Sequence, residues 1–408
     1  NTTDGATLRT VLDLTAANVL STRPTERGLL ALALHPRFAT NRRLFVLFTR
    51  VDGDDVVAEY VVDGATLTVA APERYTTIIV VRQYAPNHNG GAVRFGADGM
   101  LFVTLGDGGD GNDRAGPGNN AQRLAERLGK VLRLDVDGGD AFPDDDERTY
   151  TVPSSNPVLH GATAPTELFA SGLRNPFGCN FDVAEPYRLF CGDVGQSAWE
   201  EFDVIDIRTD GGGNYGWVIK EGLQCNENGH GVLTADGSKC DAPIVDERRP
   251  FFVYRNADGA SAIGGHVYRS TRDARLYGKY LLTDFKRCIR YASGRYETHS
   301  CQQPTILAID GAATNSFAPL SSPAAGGNAV PPAGAVTELN FVVCSDDVCR
   351  TAARNGAPRW QLWAIGVDPN LDVILAGHQS GLHRIVEPSK CNIIDDTGGG
   401  AAARATVP

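Results

Sequence analysis

Apolar and polar positions alternate in short runs along most of this chain, and long runs at helical spacing are scarce. Residues 43–50 (RLFVLFTR), 100–108 (MLFVTLGDG), 187–195 (YRLFCGDVG), 277–285 (YGKYLLTDF) and 371–379 (LDVILAGHQ) share one pattern, an apolar, aromatic-rich run. Each is followed by a second run: VVAEYVV, GKVLRLDVD, EEFDVIDI, RCIRYAS and GLHRIVEP. Runs this short, bounded by Gly, Pro and Asp, predict strands joined by turns. Their irregular return predicts an all-β chain built from four-stranded units, a β-propeller, with a β-sandwich on long loops as the alternative.

Less regular stretches fill the gaps. LRTVLDL, within residues 1–20, predicts a strand or two. ERGLLALALHP (26–36) predicts a buried strand and a turn at the proline, before the strand at 43. Residues 112–128 and 321–335 read as insertions, the first with a short helix at AQRLAERL and the second rich in Ala, Pro and Gly. TGGGAAARATVP reads as a linker. No clean boundary divides the chain, so residues 1–390 are read as one domain and 391–408 as a C-terminal tail.

Composition narrows the function classes. The chain has 408 residues, 42% hydrophobic and 21% charged, enough for a sizeable core. Its 46 glycines and 22 prolines agree with many turns. A net charge of −11 argues against a nucleic-acid partner. No apolar run approaches the ~18 residues of a membrane span. No signal peptide is visible, and Asn1 reads as a mature or trimmed start.

Nine cysteines remain to be placed. Cys179/Cys191, Cys225/Cys240, Cys288/Cys301 and Cys344/Cys349 are close neighbours in sequence, without the CxxC pairs of a zinc site. Local disulfides formed in an oxidising, extracellular compartment are expected, with Cys391 left over. The Asn1-Thr2-Thr3 sequon agrees with secretion and glycosylation.

The chemistry gathers in residues 86–137. His88 opens one strand, and Asp107 closes the next, inside a Gly-rich acidic loop. If those strands are neighbours, both side chains reach one edge of the sheet. The Gly106–Asp110 loop also has the look of a metal loop, although its glycines alone explain the turn. No GxSxG elbow, HExxH pair or phosphate loop is present.

The segments ERGLLALALHPRF, HNGGAVRFGADGMLFVTLGDGG, GKVLRLDVDG, SGLRNPFGCNFD, RLFCGDVGQSAWEEFDVID and GGNYGWVIKEGLQC carry a resemblance. Together they resemble the glucose/sorbosone dehydrogenase family over residues 20–390. Cysteine placement resembles its hedgehog-interacting-like branch most. The resemblance implies a six-bladed propeller. Relatives carry further strands before the point where this chain starts, so the first blade is incomplete as given.

For the quinone-dependent members, the resemblance implies pyrroloquinoline quinone (PQQ), Ca²⁺ and oxidation of an aldose or pyranose at C1. His88 takes the place of the general base, a role open to imidazole, whose unperturbed pKa is about 6.5. Asp107 would orient its ring. Arg174 falls where a family arginine faces the quinone carbonyls, or it pairs with Asp107 or a backbone carbonyl. Lys286 and Arg359 fall at cofactor-carboxylate positions. Gln361 stands where the second arginine of an Arg-x-Arg pair is expected, which weakens that clamp. Gly195 and Gln196 would offer carbonyls to a cofactor-bridging Ca²⁺, with Glu200 and Glu201 nearby. Asn214–Trp217 would set aromatics at a sugar-binding rim, or pack them in the core. The other reading is a non-catalytic extracellular module that binds a glycan or a protein partner, since a fold alone does not fix function.

Overall fold

The structure, a computed structural model, describes residues 9–23, 25–159, 162–226, 243–256, 261–285, 288–292, 295–299, 306–310, 336–339, 343–345, 348–350, 362–367, 371, 373–377, 381–384 and 392–394. Side chains are described up to Phe285, over Ile306–Asp310, and at Val336, Thr337, Leu339 and Leu371. The described chain is almost entirely strand and turn, with one four-residue helical turn, Phe38–Asn41 (α1).

The strands form successive antiparallel meanders. The first sheet takes β1 (Leu29–Leu34), β2 (Arg43–Thr49), β3 (Asp55–Val61) and β4 (Thr76–Val81), in that order. The second takes β5 (Ala92–Phe95), β6 (Leu101–Leu105), β7 (Lys130–Leu134) and β8 (Leu168–Ser171). The third is built from β9 (Pro176–Phe181), β10 (Arg188–Asp193) and β11 (Trp199–Asp206). A short hairpin, β12 (Lys220–Glu221) with β13 (Gln224–Cys225), interrupts it before β14 (Phe252–Arg255) joins β11.

The fourth sheet orders β15 (Ala262–Val267), β16 (Lys279–Asp284), β19 (Ile306–Asp310) and β20 (Val336–Leu339). Between them β17 (Cys288–Ala292) and β18 (Arg295–His299) form a hairpin that joins β14 instead. The strand expected at RCIRYAS therefore exists, but β19 and not β17 continues the meander from β16. β21 (Val343–Ser345), β22 (Val348–Arg350) and β26 (Asn392–Ile394) make a small sheet. β23 (Leu362–Val367), β24 (Val373–Gly377) and β25 (Gly381–Arg384) make another meander.

Strand periodicity explains how the sheets stack. Successive side chains point to opposite faces, so Leu101 and Val103 face the first sheet while Phe102, between them, faces the third. Leu189 and Cys191 likewise face the second sheet, and Phe190 faces the fourth. The second and third sheets thus bury both faces between their neighbours. First strands touch in series: β1 on β5, β5 on β9, β9 on β15 and β15 on β23. That is how propeller blades are disposed about an axis. The loops that enter the first strands, β4–β5 with His88 and β8–β9 with Arg174, come together at one end, and this is where the site forms.

Three expectations fail locally. Described residues 9–19 hold no strand; the segment runs through turns, and Leu20 makes one bridge to Arg50. β1 is not buried: Leu29, Leu32 and Leu34 are 55%, 53% and 50% exposed. Residues 121–128 form turns rather than a helix. There the buried Lys130 Nζ takes the carbonyls of Asn120, Ala121 and Leu128 at 2.7, 2.9 and 2.9 Å. The carbonyls of Asn120 and Ala121 would otherwise accept the amides of a helix.

A disulfide links Cys179 of β9 to Cys191 of β10. Cys225 is also disulfide-bonded; Cys240, its expected partner, lies outside the described residues. Cys344 and Cys349 are register partners across β21 and β22. Cys301 and Cys391 lie outside the described residues, as does the 321–335 insertion. No described helix is long and apolar enough to cross a membrane.

Candidate functional site

Glycine lets two backbone segments cross at the centre. Gly90, at φ +75°, lies so close to β6 that a Cβ there would stand 2.7 Å from Leu105 Cα and from Gly106 N. A Cβ on Gly106 would stand 2.1 Å from the His88 carbonyl oxygen. Only glycine at both positions permits this approach. His88 itself adopts φ +56°, uncommon for a residue with a side chain. Its N–H donates to Glu26 Oε2 at 2.7 Å, and the Gly90 N–H donates to Asn175 Oδ1 at 3.0 Å. These bonds hold the ring over the end of β6.

There His88 Nδ1 lies 2.7 Å from Asp107 Oδ1. An ionised carboxylate only accepts, so Nδ1 carries the proton and donates. Asp107 is fully buried and has two further donors: Gly109 N–H to Oδ1 at 2.8 Å and Trp217 Nε1 to Oδ2 at 2.7 Å. A carboxylate with three fixed donors cannot swing away. Among the described residues, no partner bonds His88 Nε2, so that nitrogen is left to accept a proton. Through these bonds the acidic loop acts as a ring-holding turn.

Arg174 completes the cluster from the loop between β8 and β9. Its carbonyl accepts the Asp107 N–H at 2.7 Å. Its guanidinium Nη1 donates to the carbonyls of Val194 and Gly195 at 2.7 and 2.8 Å. Its Cζ stands 5.4 Å from the Trp217 ring centroid, and Nε is buried without a partner. Asp193 anchors this loop by accepting the N–H groups of Arg174 and Asn175 at 2.9 and 2.6 Å. Burial, only partly offset by those bonds, pushes the Asp193 carboxyl up to about 6. Burial and nearby Asp107 likewise raise Asp113 to about 7, and burial lowers Lys130 to about 7.

The GDVGQ loop abuts this cluster. Glu221 Oε1 accepts four successive amides, those of Gln196, Ser197, Ala198 and Trp199, at 2.8, 2.8, 2.8 and 3.1 Å. Glu200 and Glu201 are neighbours on β11 and so point to opposite faces. Glu200 accepts Gly195 N–H, Ala262 N–H and Asn256 Nδ2 at 3.0, 2.9 and 2.8 Å. Burial, with Asp284 beside it, raises its carboxyl to about 8. It holds the loop; it does not offer itself to an ion. Tyr215 and Trp217 are both buried, so the aromatic pair belongs to the core and to the site floor.

The structure therefore brings His88, Asp107, Arg174, Gly195 and Gln196 to one place. Lys286, Arg359 and Gln361 lie outside the described residues. For a quinone, the described half fits: Arg174 carries an orphaned buried Nε beside a flat aromatic face. For its cation, the Gly195 carbonyl points into the cluster, where Arg174 Nη1 already engages one lone pair. Sequence reading missed the link from Trp217 to Asp107 and the anchors Asp193 and Glu221. A polar residue closing an otherwise apolar strand, as in LFCGD, was the available signal.

The glucose/sorbosone dehydrogenase family model matches residues 7–286. The HIPL2 protein of Arabidopsis thaliana is 29% identical over 422 residues, spanning 90% of this chain and 54% of that protein. The Hedgehog-interacting protein of Homo sapiens is 28% identical, spanning 64% of this chain and 33% of its own length. The chain thus covers about half or less of these two relatives. A crystal structure of a glucose dehydrogenase superposes with a TM-score of 0.62 at 16% identity, covering 94% of this chain and 88% of that one, which shows the fold alone.

Proposed function

The chain belongs to the glucose/sorbosone dehydrogenase family, and from that premise we propose that it is a secreted, six-bladed propeller that oxidises an aldose or pyranose at C1 with PQQ and Ca²⁺. On this reading residues 1–390 form the propeller and 391–408 a tail. The observation that carries it is the His88–Asp107 pair, 2.7 Å apart, with Nε2 free of any described partner.

PQQ, when bound, supplies a two-electron acceptor for hydride. Arg174, Lys286 and Arg359 would hold it, and the carbonyls of Gly195 and Gln196 would hold its Ca²⁺. His88 Nε2 takes the proton of the sugar C1 hydroxyl as hydride leaves C1. Asp107 keeps the ring in the tautomer that exposes Nε2, and then stabilises the imidazolium. Trp217 occupies Oδ2 of Asp107, so that Oδ1 stays on the ring. The planar guanidinium of Arg174 favours negative charge developing beside it. Adding PQQ and Ca²⁺ to the purified protein tests this. A bound-quinone spectrum with sugar-dependent dye reduction supports it, and no spectrum at high micromolar PQQ overturns it.

Two features favour the second reading, a non-catalytic extracellular module. Arg174 already engages the Gly195 carbonyl, and Gln361 replaces a cation. Relatives named for hedgehog interaction agree with a glycan or protein partner. Binding of such a partner by a chain that binds no PQQ would select it.

A further inference from the structure

A group of acids in the third sheet is not used by the chemistry above. Asp193 and Glu201 are direct register partners across β10 and β11, and Asp203 stands opposite Cys191 of the disulfide. By strand alternation all three side chains share the face turned to the second sheet. One carboxylate oxygen from each lies within 4.8 Å of the others. Asp203 is 0% exposed, and neither of its oxygens has a hydrogen-bond partner among the described residues. Glu201 Oε2 is likewise buried and unpartnered.

Such an arrangement is costly as it stands. A buried carboxylate without donors loses its hydration and recovers nothing. The charge that acts on Asp203 is that of Asp193, of the same sign. Burial and these like charges push both Glu201 and Asp203 well above the carboxylate range. Asp193 is at least partly satisfied by the amides of Arg174 and Asn175. The deficit is centred on Asp203 and Glu201.

We propose that Asp193, Glu201 and Asp203 bind a Ca²⁺ ion between the second and third sheets. Hard carboxylate oxygens suit Ca²⁺, whose oxygen distances of about 2.3–2.6 Å put opposed ligands roughly 4.6–5.2 Å apart. The site differs from the cofactor-bridging position, which uses the backbone carbonyls of Gly195 and Gln196, and needs no quinone. It moves Glu201 from that position to this one. Because Asp193 also pins the Arg174 loop, the ion would stiffen the wall of the central site.

The test uses the full chain without PQQ, stripped with EDTA and re-equilibrated with micromolar Ca²⁺. Bound metal is counted by mass spectrometry, and thermal melts are recorded with and without chelator. Wild type is expected to retain one Ca²⁺ per chain that Asp203→Asn lacks, with Ca²⁺ affinity reduced at least 10-fold. Chelation should lower the melting temperature of wild type and leave that of Asp203→Asn unchanged. If Asp203→Asn does not fold, Glu201→Gln is read in its place. Equal metal content in wild type and variant, or no Ca²⁺ retained by wild type, overturns the proposal and leaves protons as the occupants of these carboxyls.

Discussion

His88 Nδ1 and Asp107 Oδ1 are 2.7 Å apart, although 19 residues separate them in sequence. Asn at 107 would turn an amide toward one of three donors, either the imidazole N–H or the N–H of Gly109 or Trp217. In Asp107→Asn the ring should lose its tautomer and its counter-charge. We expect kcat for sugar oxidation to fall about 10²–10⁴-fold while KM changes little, as for other orienting carboxylates. Steady-state dye reduction checks this.

The crossing of Gly90 over Gly106 sets that distance. A Cβ at Gly106 would overlap the His88 carbonyl, a backbone atom that cannot step aside. Gly106→Ala should therefore destabilise the fold by about 3 kcal/mol or more, in the range of severe steric substitutions. Urea denaturation read by tryptophan fluorescence measures it.

Glu221 fastens the loop that carries Gly195 and Gln196 by accepting four amides on one oxygen. Glu221→Gln keeps the shape but removes the charge that strengthens those bonds. A loss of about 1–3 kcal/mol is expected, together with weaker Ca²⁺-dependent PQQ binding. Parallel denaturation and quinone titrations report both.

Glu200 gives a pH signature. Its carboxyl ordinarily titrates near 4.5, and burial raises it to about 8 in the folded chain. Between those values the folded state holds a proton that the unfolded state has lost. The Glu200 contribution is therefore full below about pH 4.5 and lost as pH rises through 8. Buried Asp55, raised to about 7, acts in the same direction. Glu200→Gln should flatten the slope of stability against pH by at most about 1.4 kcal/mol per unit between pH 5 and 8. Denaturation midpoints at three or four pH values would show it; an unchanged slope would mean that Glu200 is not the proton's holder.

Much of this was readable in the residues, for reasons the structure makes plain. RLFVLF, LFVTL and YLLTD became second strands of their sheets because both faces are buried there, so an unbroken apolar run marks the strand. His88 and Asp107 could be paired because each sits at a strand end, where one edge of a sheet is the natural meeting place. What stayed hidden depended on long-range partners. AQRLAERL looks helical until the ammonium of Lys130 takes the carbonyls of Asn120, Ala121 and Leu128. Glu201 reads as a neighbour of a cofactor-bridging Ca²⁺, and Asp193 and Asp203 carry no reading of their own, because strand alternation does not say that a second sheet covers that face. The exposed leucines of β1 read as core for the same reason.

The central claim, that His88 is the base of a quinone-dependent oxidation, meets its most direct test in one comparison. Sugar-dependent dye reduction is measured for wild type and His88→Ala at saturating PQQ and Ca²⁺, with bound quinone quantified in both. The account predicts equal quinone and a fall in turnover of about 10²-fold or more, the usual contribution of a positioned base. Equal turnover in the two proteins, or none in wild type loaded with quinone, would contradict it.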